Sequence, residues 1–301
     1  MKEKKELVSI IIPTYKTNES LKRAIDSVLN QSYENVEIIV VDDNHNDEYR
    51  EKAASIIREY SDNRIIYIQH EKNKNGSAAR NTGVSNCHGN YIGFLDDDDY
   101  FLPNKIEKQY NFLNNNNYQF CTCFYYRNNH KYSFKIKDDY SIDVFLNKTT
   151  PQTSSFFMKK SFYNELNDFN ESYIRHQDYE FLLRVCEKEK VGVVPESLYV
   201  MDTNGVNNIP NGKKIEEIKN KLLKEFDRII EKNSFNKKKI YGNNYAQVGF
   251  AYFKGKNFKE FRRISKEYFG FYYISYLLLR FLKSLLFRIK RWKLWIKKII
   301  N

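Results

Sequence analysis

Tyr91-Ile-Gly-Phe-Leu-Asp-Asp-Asp-Asp-Tyr100 is a short apolar run that delivers four consecutive carboxylates at its end. Like charges within a few ångströms raise each other's pKa and repel by on the order of 1 kcal/mol per pair even near a surface, so a counter-charge is expected there. Carboxylate oxygens are hard ligands, and Mg2+ or Mn2+ commonly takes one or two of them and completes its shell with phosphates and water. The bland alternative is a solvated acidic turn. Position weighs against it, because open α/β sheets collect ligands beyond the carboxyl ends of their strands. An EF-hand would use Asp96, Asp98 and Glu107 as its first, third and twelfth residues, but Phe101 stands where that loop needs Gly, and Phe101-Leu-Pro is too apolar for a ligand loop.

Outward from this run the apolar periodicity alternates. Val8 to Ile12 reads as a buried strand ended by Pro13, and Leu21, Ile25, Val28 and Leu29 recur at helical spacing behind Ser20. Val36 to Val41 is a second strand and Tyr49 to Tyr60 a second helix. Arg64 to Ile68 is a third strand, Gly76 opens a helix through about Asn86, and Tyr91 to Leu95 is a fourth strand. This β-α-β-α order predicts a mostly parallel sheet flanked by helices, with functional groups in the loops that follow each strand. Those loops carry Pro13-Thr14-Tyr15, Asp42-Asp43, the segment from Gly76 to Asn81, and Asp96 to Asp99. A helix start at Gly76 offers N–H groups to a phosphate and Arg80 adds charge, so one sheet edge could hold a nucleotide, its diphosphate at the metal. Taken singly, each feature is also a turn or capping pattern.

Together these pieces resemble the inverting nucleotide-sugar glycosyltransferases of family 2, which have a GT-A fold. The matching segments are Val8-Ser-Ile-Ile-Ile-Pro-Thr-Tyr15, Ile38-Ile-Val-Val-Asp-Asp43, Gly76-Ser-Ala-Ala-Arg-Asn-Thr-Gly83, Phe94-Leu-Asp-Asp-Asp-Asp-Tyr100 and Arg175-His-Gln-Asp-Tyr-Glu-Phe-Leu-Leu-Arg184. The similarity covers residues 7 to about 200. It implies that Asp178 is the catalytic base, that Asp98 holds Mn2+ or Mg2+, and that Asp96 or Asp97 orients toward ribose and the metal shell. It further implies that Asp43 reads a pyrimidine ring whose pocket Pro13, Thr14 and Tyr15 line, which makes UDP the leading nucleotide. Arg80 belongs to the donor side, and His176 and Gln177 to the acceptor side. Two departures stand out. Gln177 replaces a frequent Glu, which removes one negative charge, and Asn44-His-Asn follows the Asp pair where small residues are common. Without the donor motifs, Asp178 would read equally well as a helix cap.

The resemblance implies transfer of one sugar to a glycan or lipid-linked acceptor in cell-surface polysaccharide synthesis. Processive synthases carry a Gln-x-x-Arg-Trp motif, whereas here Arg288 takes the place of Gln before Arg291-Trp292. Tyr118 to Lys137 and Thr153 to Met158 read as strands of the acceptor half, whose rings could stack on sugars, although at 16% aromatic most must be core. The competing class is a non-catalytic nucleotide- or membrane-binding protein that keeps the fold, against which Arg80, Asp98 and Asp178 stand together.

At 301 residues and 41% hydrophobic, the chain can bury one large core or two modest ones. Its organisation reads as a catalytic domain over 1–205 with halves meeting near residue 100, a helical extension over 206–270, and a basic amphipathic helix over 271–301. No internal repeat is evident in the extension, which could support a homo-oligomer. The start of the chain is too polar, and its first apolar run too short, for a signal segment, so a cytoplasmic protein is expected. Cys87, Cys121, Cys123 and Cys186 lack paired metal spacing and read as reduced packing residues, with Cys121-Thr-Cys123 in a strand.

Net charge is +12, but residues 271 to 301 contain eight Lys/Arg and no acid, leaving only +4 on the rest. A nucleic-acid binder is therefore disfavoured. The longest charge-free run of the tail, Tyr268 to Leu279, spans twelve residues against the roughly 20 a bilayer requires. Phe281, Leu282, Leu285, Ile289, Trp292, Ile296 and Ile299 share one helical face, with Trp295 close by. This is the pattern of a peripheral helix on an anionic membrane, or of one that docks on a partner or its own domain.

Overall fold

The computed structural model describes residues 5–148, 150–202 and 211–268. They form two compact units, one of residues 5–144 and 150–202, the other of 145–148 and 211–268. The amphipathic segment expected over 271–301, and the domain boundary expected at 205/206, lie outside the described residues.

In the first unit β1 (Val8–Thr14), β2 (Val36–Asp42), β3 (Ile65–Gln69) and β4 (Tyr91–Phe94) are parallel neighbours, joined through α1 (Ser20–Leu29), α2 (Asp47–Arg58) and α3 (Gly76–Ser85). Ile10, Ile11 and Ile12 of β1 and Ile38 to Val41 of β2 are all fully buried. Helices on both sheet faces demand such continuous apolar runs, and each side chain buried this way contributes about 1.5–3 kcal/mol. Gly83 is what lets α3 lie against β1, since a Cβ there would stand 2.4 Å from Ile11 Cγ2.

Beyond β4 the pairing becomes mixed. The chain continues through β5 (Tyr100–Phe101), α4 (Lys105–Asn116), β6 (Phe120–Arg127), β7 (His130–Tyr132), α5 (Ser141–Phe145), β8 (Phe157–Lys159), α6 (Lys160–Glu165), α7 (Gln177–Lys188) and β9 (Gly192–Met201). Among the described residues nine strands make one sheet, in the order β3-β2-β1-β4-β8-β6-β9-β5 with β7 beside β6. β8 runs antiparallel to β4 and β6, β6 and β9 are parallel, and β5 is antiparallel to β9. The Asp96–Asp99 turn is thus where the chain leaves the middle of the sheet for its far edge.

Cys121 and Cys123 lie on β6 as free, fully buried thiols, and burial pushes Cys123 up to about 11. Beside them sits Lys105, also fully buried, its Nζ 3.9 Å from the Phe101 ring centroid and without a hydrogen-bond partner among the described residues. Burial lowers its pKa to about 8. The ring's negative face offsets part of that cost, by up to about 2 kcal/mol for a desolvated pair.

In the second unit, the expected helical extension begins with two helices, α8 (Gly212–Glu225) and α9 (Asp227–Lys232), separated by Phe226. Buried Phe226 ends α8 and at the same time precedes α9, a break in the helix that apolar periodicity alone does not mark. α10 (Lys237–Lys254) and α11 (Phe258–Glu267) complete the unit.

Candidate active site

The parallel register brings the carboxyl ends of β1, β2 and β4 side by side, with Thr14 opposite Asp42 and Ile11 opposite Phe94. Pro13 and Thr14 are the last residues of β1, so the expected loop begins only at Tyr15. Thr14 Oγ1 lies 2.5 Å from Asp97 Oδ2 and 2.9 Å from Thr17 Oγ1, while Asn44 Nδ2 donates to Thr17 Oγ1 at 2.8 Å. A hydroxyl has one proton to give. Thr14 gives its proton to Asp97, Thr17 donates to Thr14, and Asn44 donates to Thr17. The Tyr15 N–H also reaches Asp97.

Asn44, one of the departures from the family pattern, therefore has a clear role. Its backbone N–H and side-chain amide also bond Asp42 Oδ1 at 2.9 and 2.7 Å, and its Oδ1 accepts the Lys16 N–H at 2.5 Å. His45 stacks on the half-exposed Tyr15 with ring centroids 6.1 Å apart, and Asn46 caps α2. The Tyr15–His45 platform, where the nucleoside is expected, was not foreseen. Two aromatic residues thirty positions apart carry no joint signal until β1 and β2 are paired.

Asp43 is buried, and its carboxylate is engaged by the 70–75 segment. Oδ1 accepts from Lys74 N at 2.7 Å and pairs with His70 Nδ1 at 2.8 Å; Oδ2 accepts from Asn73 Nδ2 at 2.8 Å and Asn75 N at 2.9 Å. All four lone-pair directions are taken. In this state Asp43 pins that segment rather than presenting an open acceptor. His70 extends the link to Thr82 Oγ1 at 2.9 Å.

The start of α3 also differs from expectation. Asn75, in a left-handed conformation at φ 81°, accepts from Ser77 N at 2.9 Å and Ala78 N at 3.4 Å. Those N–H groups are therefore not open to a phosphate. What α3 contributes is Arg80, 7% exposed, whose NH2 donates to Asp96 Oδ1 at 2.5 Å and whose NH1 donates to Gln177 Oε1 at 3.0 Å. A Cβ at position 76 would come within 3.1 Å of Arg80 NH1 and 3.3 Å of Gln177 Oε1, so Gly76 lets this clamp close.

Of the four aspartates, three are committed. Asp96 pairs with Arg80 and Asp97 with Thr14. Asp99, 2% exposed, accepts Asp202 N at 3.1 Å and bonds the Ser154 side chain. The Asp98 carboxylate is met only by its own backbone N–H among the described residues. Burial, then Asp96 and Asp202, raise Asp98 to about 6, and Arg23 acts against this; Arg23 NH2 donates to the Asp98 carbonyl at 2.7 Å and to Asp202 Oδ2 at 2.9 Å. Burial likewise lifts Asp97 to about 7, with Thr14 holding it down. An anion cluster with one uncommitted carboxylate fits a hard divalent cation. Arg23, Ser154 and Asp202 were missed because they reach the cluster from α1, from a turn before β8 and from the end of β9.

Asp178 is the second residue of α7. The helix starts after His176, which adopts a left-handed conformation (φ 61°) and stacks on Tyr179 at 4.8 Å. Burial raises Asp178 to about 6, while the Tyr179 N–H and Arg80 favour its anion and Asp96 opposes it. The fold thus joins the Asp cluster to the start of α7 through a single guanidinium. Most rings of the 118–137 stretch are core, as with Tyr125, which stacks on Tyr132 and Tyr199 at 5.2 and 5.3 Å.

Comparison with known proteins agrees with this arrangement. The model of Glycosyl transferase family 2 matches residues 9–188, more than half of the chain. An uncharacterized glycosyltransferase of Methanocaldococcus jannaschii, MJ1057, is 34% identical over 210 residues, 64% of this chain and 70% of that protein. The Escherichia coli UDP-Glc:alpha-D-GlcNAc-diphosphoundecaprenol beta-1,3-glucosyltransferase WfgD is 40% identical over 114 residues, 38% of this chain and 44% of WfgD, so the match spans less than half of that relative. Residues 1–349 of Staphylococcus aureus TarS, solved with UDP-GlcNAc, superpose with a TM-score of 0.63 at 15% identity, covering 87% of this chain and 91% of that one. That likeness establishes the GT-A fold, with its mixed sheet between helices. On the extent of the family match, with the fold in agreement, the chain belongs to glycosyl transferase family 2 and is a glycosyltransferase.

Proposed function

We propose that the protein moves one sugar from a UDP-sugar to a glycan or lipid-linked acceptor, by a single displacement with inversion, in the synthesis of a cell-surface polysaccharide. The observation that carries this reading is the Arg80 clamp, which ties the Asp cluster to the helix start bearing Asp178. The uracil nucleotide is supported by the donors named for WfgD and for the TarS complex. The acceptor class is supported by the lipid-linked diphosphate sugar in WfgD's name.

In this reading Asp178 accepts the acceptor's hydroxyl proton as that oxygen attacks the anomeric carbon, and the bond from that carbon to the diphosphate oxygen breaks, releasing UDP. Arg80 holds Asp96 and Gln177 so that the donor floor and the base helix keep one geometry. Tyr15 and His45 offer the nucleoside a stacking surface. Asp98 would hold Mn2+ or Mg2+, which when bound supplies positive charge to the departing diphosphate. The described residues contain no group of three or more His, Cys, Asp or Glu side chains able to hold an ion by themselves, so an ion on Asp98 would need phosphates and water to complete its shell.

Mass spectrometry of nucleoside diphosphate released from a panel of UDP-, GDP- and dTDP-sugars tests the proposal. Turnover of a UDP-sugar with Mn2+ is expected. If the protein binds no uracil nucleotide in the presence of Mn2+, the donor assignment falls. Asp98→Ala is expected to weaken Mn2+-dependent donor binding at least about ten-fold, given that losing even outer-shell support costs about 10- to 100-fold. Without added ion, wild type and variant should bind alike. If the two differ equally with and without Mn2+, Asp98 acts on the nucleotide by another route.

Gln177 bears on the base. A Glu there would set a second anion beside Asp178, so Gln177→Glu is expected to move the acid limb of the activity profile upward by roughly half a unit to one unit. An unmoved limb would mean that Arg80 fully absorbs the added charge.

The protein is further proposed to work at the inner face of the cell membrane through residues 271–301. No helix among the described residues is long and apolar enough to cross a membrane.

A further inference from the structure

The outer surface of the α10–α11 hairpin has a composition that its own unit does not use. α10 ends at Lys254, Gly255 follows, Lys256 turns the chain at φ 58°, and Asn257 caps α11 by accepting Glu260 N at 3.2 Å. This turn places Phe253 and Phe258 together at the hairpin's end, with ring centroids 5.9 Å apart in an edge-on arrangement. They are 49% and 58% exposed. α11 packs inward through Ile264 and Ser265 and turns Lys259, Arg262 and Lys266 outward.

Between Lys254 and Glu267 there are six cations and two acids. Both acids, Glu260 and Glu267, bond Arg263, which also reaches Glu216 at 2.6 Å. The other five cations, Lys254, Lys256, Lys259, Arg262 and Lys266, have no carboxylate within ion-pair distance among the described residues. Two adjacent exposed aromatic rings within a field of unpaired cations suit a surface that is apolar just beneath a layer of negative charge. Rings enter the acyl boundary while Lys and Arg meet headgroup phosphates. The chain's own remaining segment suits this face poorly, because residues 271–301 carry eight Lys/Arg and no acid and would meet it charge against like charge.

We propose that the Phe253–Lys266 face of the α10–α11 hairpin is itself a membrane-contact surface, seated on anionic lipid. It rests on the reading that the protein works at an anionic membrane, and it adds a folded contact to the basic tail. The full chain is to be tested by flotation with vesicles of mixed phosphatidylglycerol and phosphatidylcholine, against phosphatidylcholine alone. With the mixed vesicles, K259E/R262E/K266E is expected to weaken partitioning roughly a hundred-fold, and F253S/F258S roughly ten-fold. All altered side chains are exposed, so unchanged far-UV spectra and unchanged UDP-sugar turnover in solution are the controls. If both variants float like wild type while W292S/W295S does not, the hairpin proposal is overturned and the membrane reading stands. Loss with the charge variant alone also overturns it, because diffuse attraction would then suffice without a seated face. If wild type fails to float at all, the membrane reading falls with it.

Discussion

Replacing Asp178 by Asn is expected to lower turnover by roughly 10²- to 10⁴-fold, the usual contribution of a positioned general base, while UDP-sugar affinity stays close to that of wild type. Asn keeps the size and the hydrogen bond from Tyr179 N–H, so α7 should begin as before. What it cannot do is take a proton. Burial lifts the Asp178 carboxyl to about 6, which makes its anion a stronger base than an ordinary carboxylate yet leaves it ionised at neutral pH. Only the deprotonated form accepts a proton, so wild-type activity should rise with pH through about 6 and level off above it, and the residual activity of the variant should lack that limb. The same raised pKa means that the fold carries a cost for holding this anion, present at neutral pH and relieved as pH falls below about 6. The Asn variant is therefore expected to unfold at a higher temperature than wild type at neutral pH. Retention of more than a tenth of wild-type turnover would remove Asp178 from the role of base.

Replacing Arg184 by Met is expected to destabilise the protein by about 3–5 kcal/mol, the cost of removing one member of a buried ion pair. Glu180 is only 1% exposed at its side chain, and Arg184 grips it in a two-pronged pair, Nε to Oε1 at 2.6 Å and NH2 to Oε2 at 2.8 Å. The same guanidinium donates to the carbonyls of Leu166 and Asp168, tying the segment before Phe169 to α7. Phe169 stacks on Phe181 at 4.3 Å and packs edge-on against Phe94 of β4 at 5.3 Å. Loss of Arg184 thus loosens the support of the helix that carries Asp178, and activity should fall together with stability. Urea unfolding followed by circular dichroism measures the first effect. Replacing Glu180 and Arg184 together by Gln and Met should recover much of the loss, because the buried carboxylate is removed along with its partner. A single Arg184→Met variant within about 1 kcal/mol of wild type would show that Glu180 is satisfied without Arg184.

The amino-acid sequence by itself determined the parallel half of the sheet, because buried strands announce themselves as short continuous apolar runs and amphipathic helices through a period of 3.6, all within a dozen residues. It also determined where the chemistry-bearing residues stand in the chain, since residues that follow strands such as Val8–Thr14 and Tyr91–Phe94 must emerge at one edge of a parallel sheet. Tertiary structure alone decided which of those residues are spent and which are spare. Four adjacent aspartates are alike in sequence, yet Thr14, Arg80 and Ser154 occupy three of them and leave Asp98. Asp43 reads as a ligand group until the 70–75 segment saturates it, and Gln177 reads as a lost charge until Arg80 is found holding its carbonyl. The mixed half of the sheet, with β5 returning to β9, was equally out of reach. The reason is the same in each case: hydrogen-bond saturation and strand register are set between groups nearly a hundred residues apart, as from Arg80 to Gln177 or Phe101 to Tyr199, and no local period records such distances.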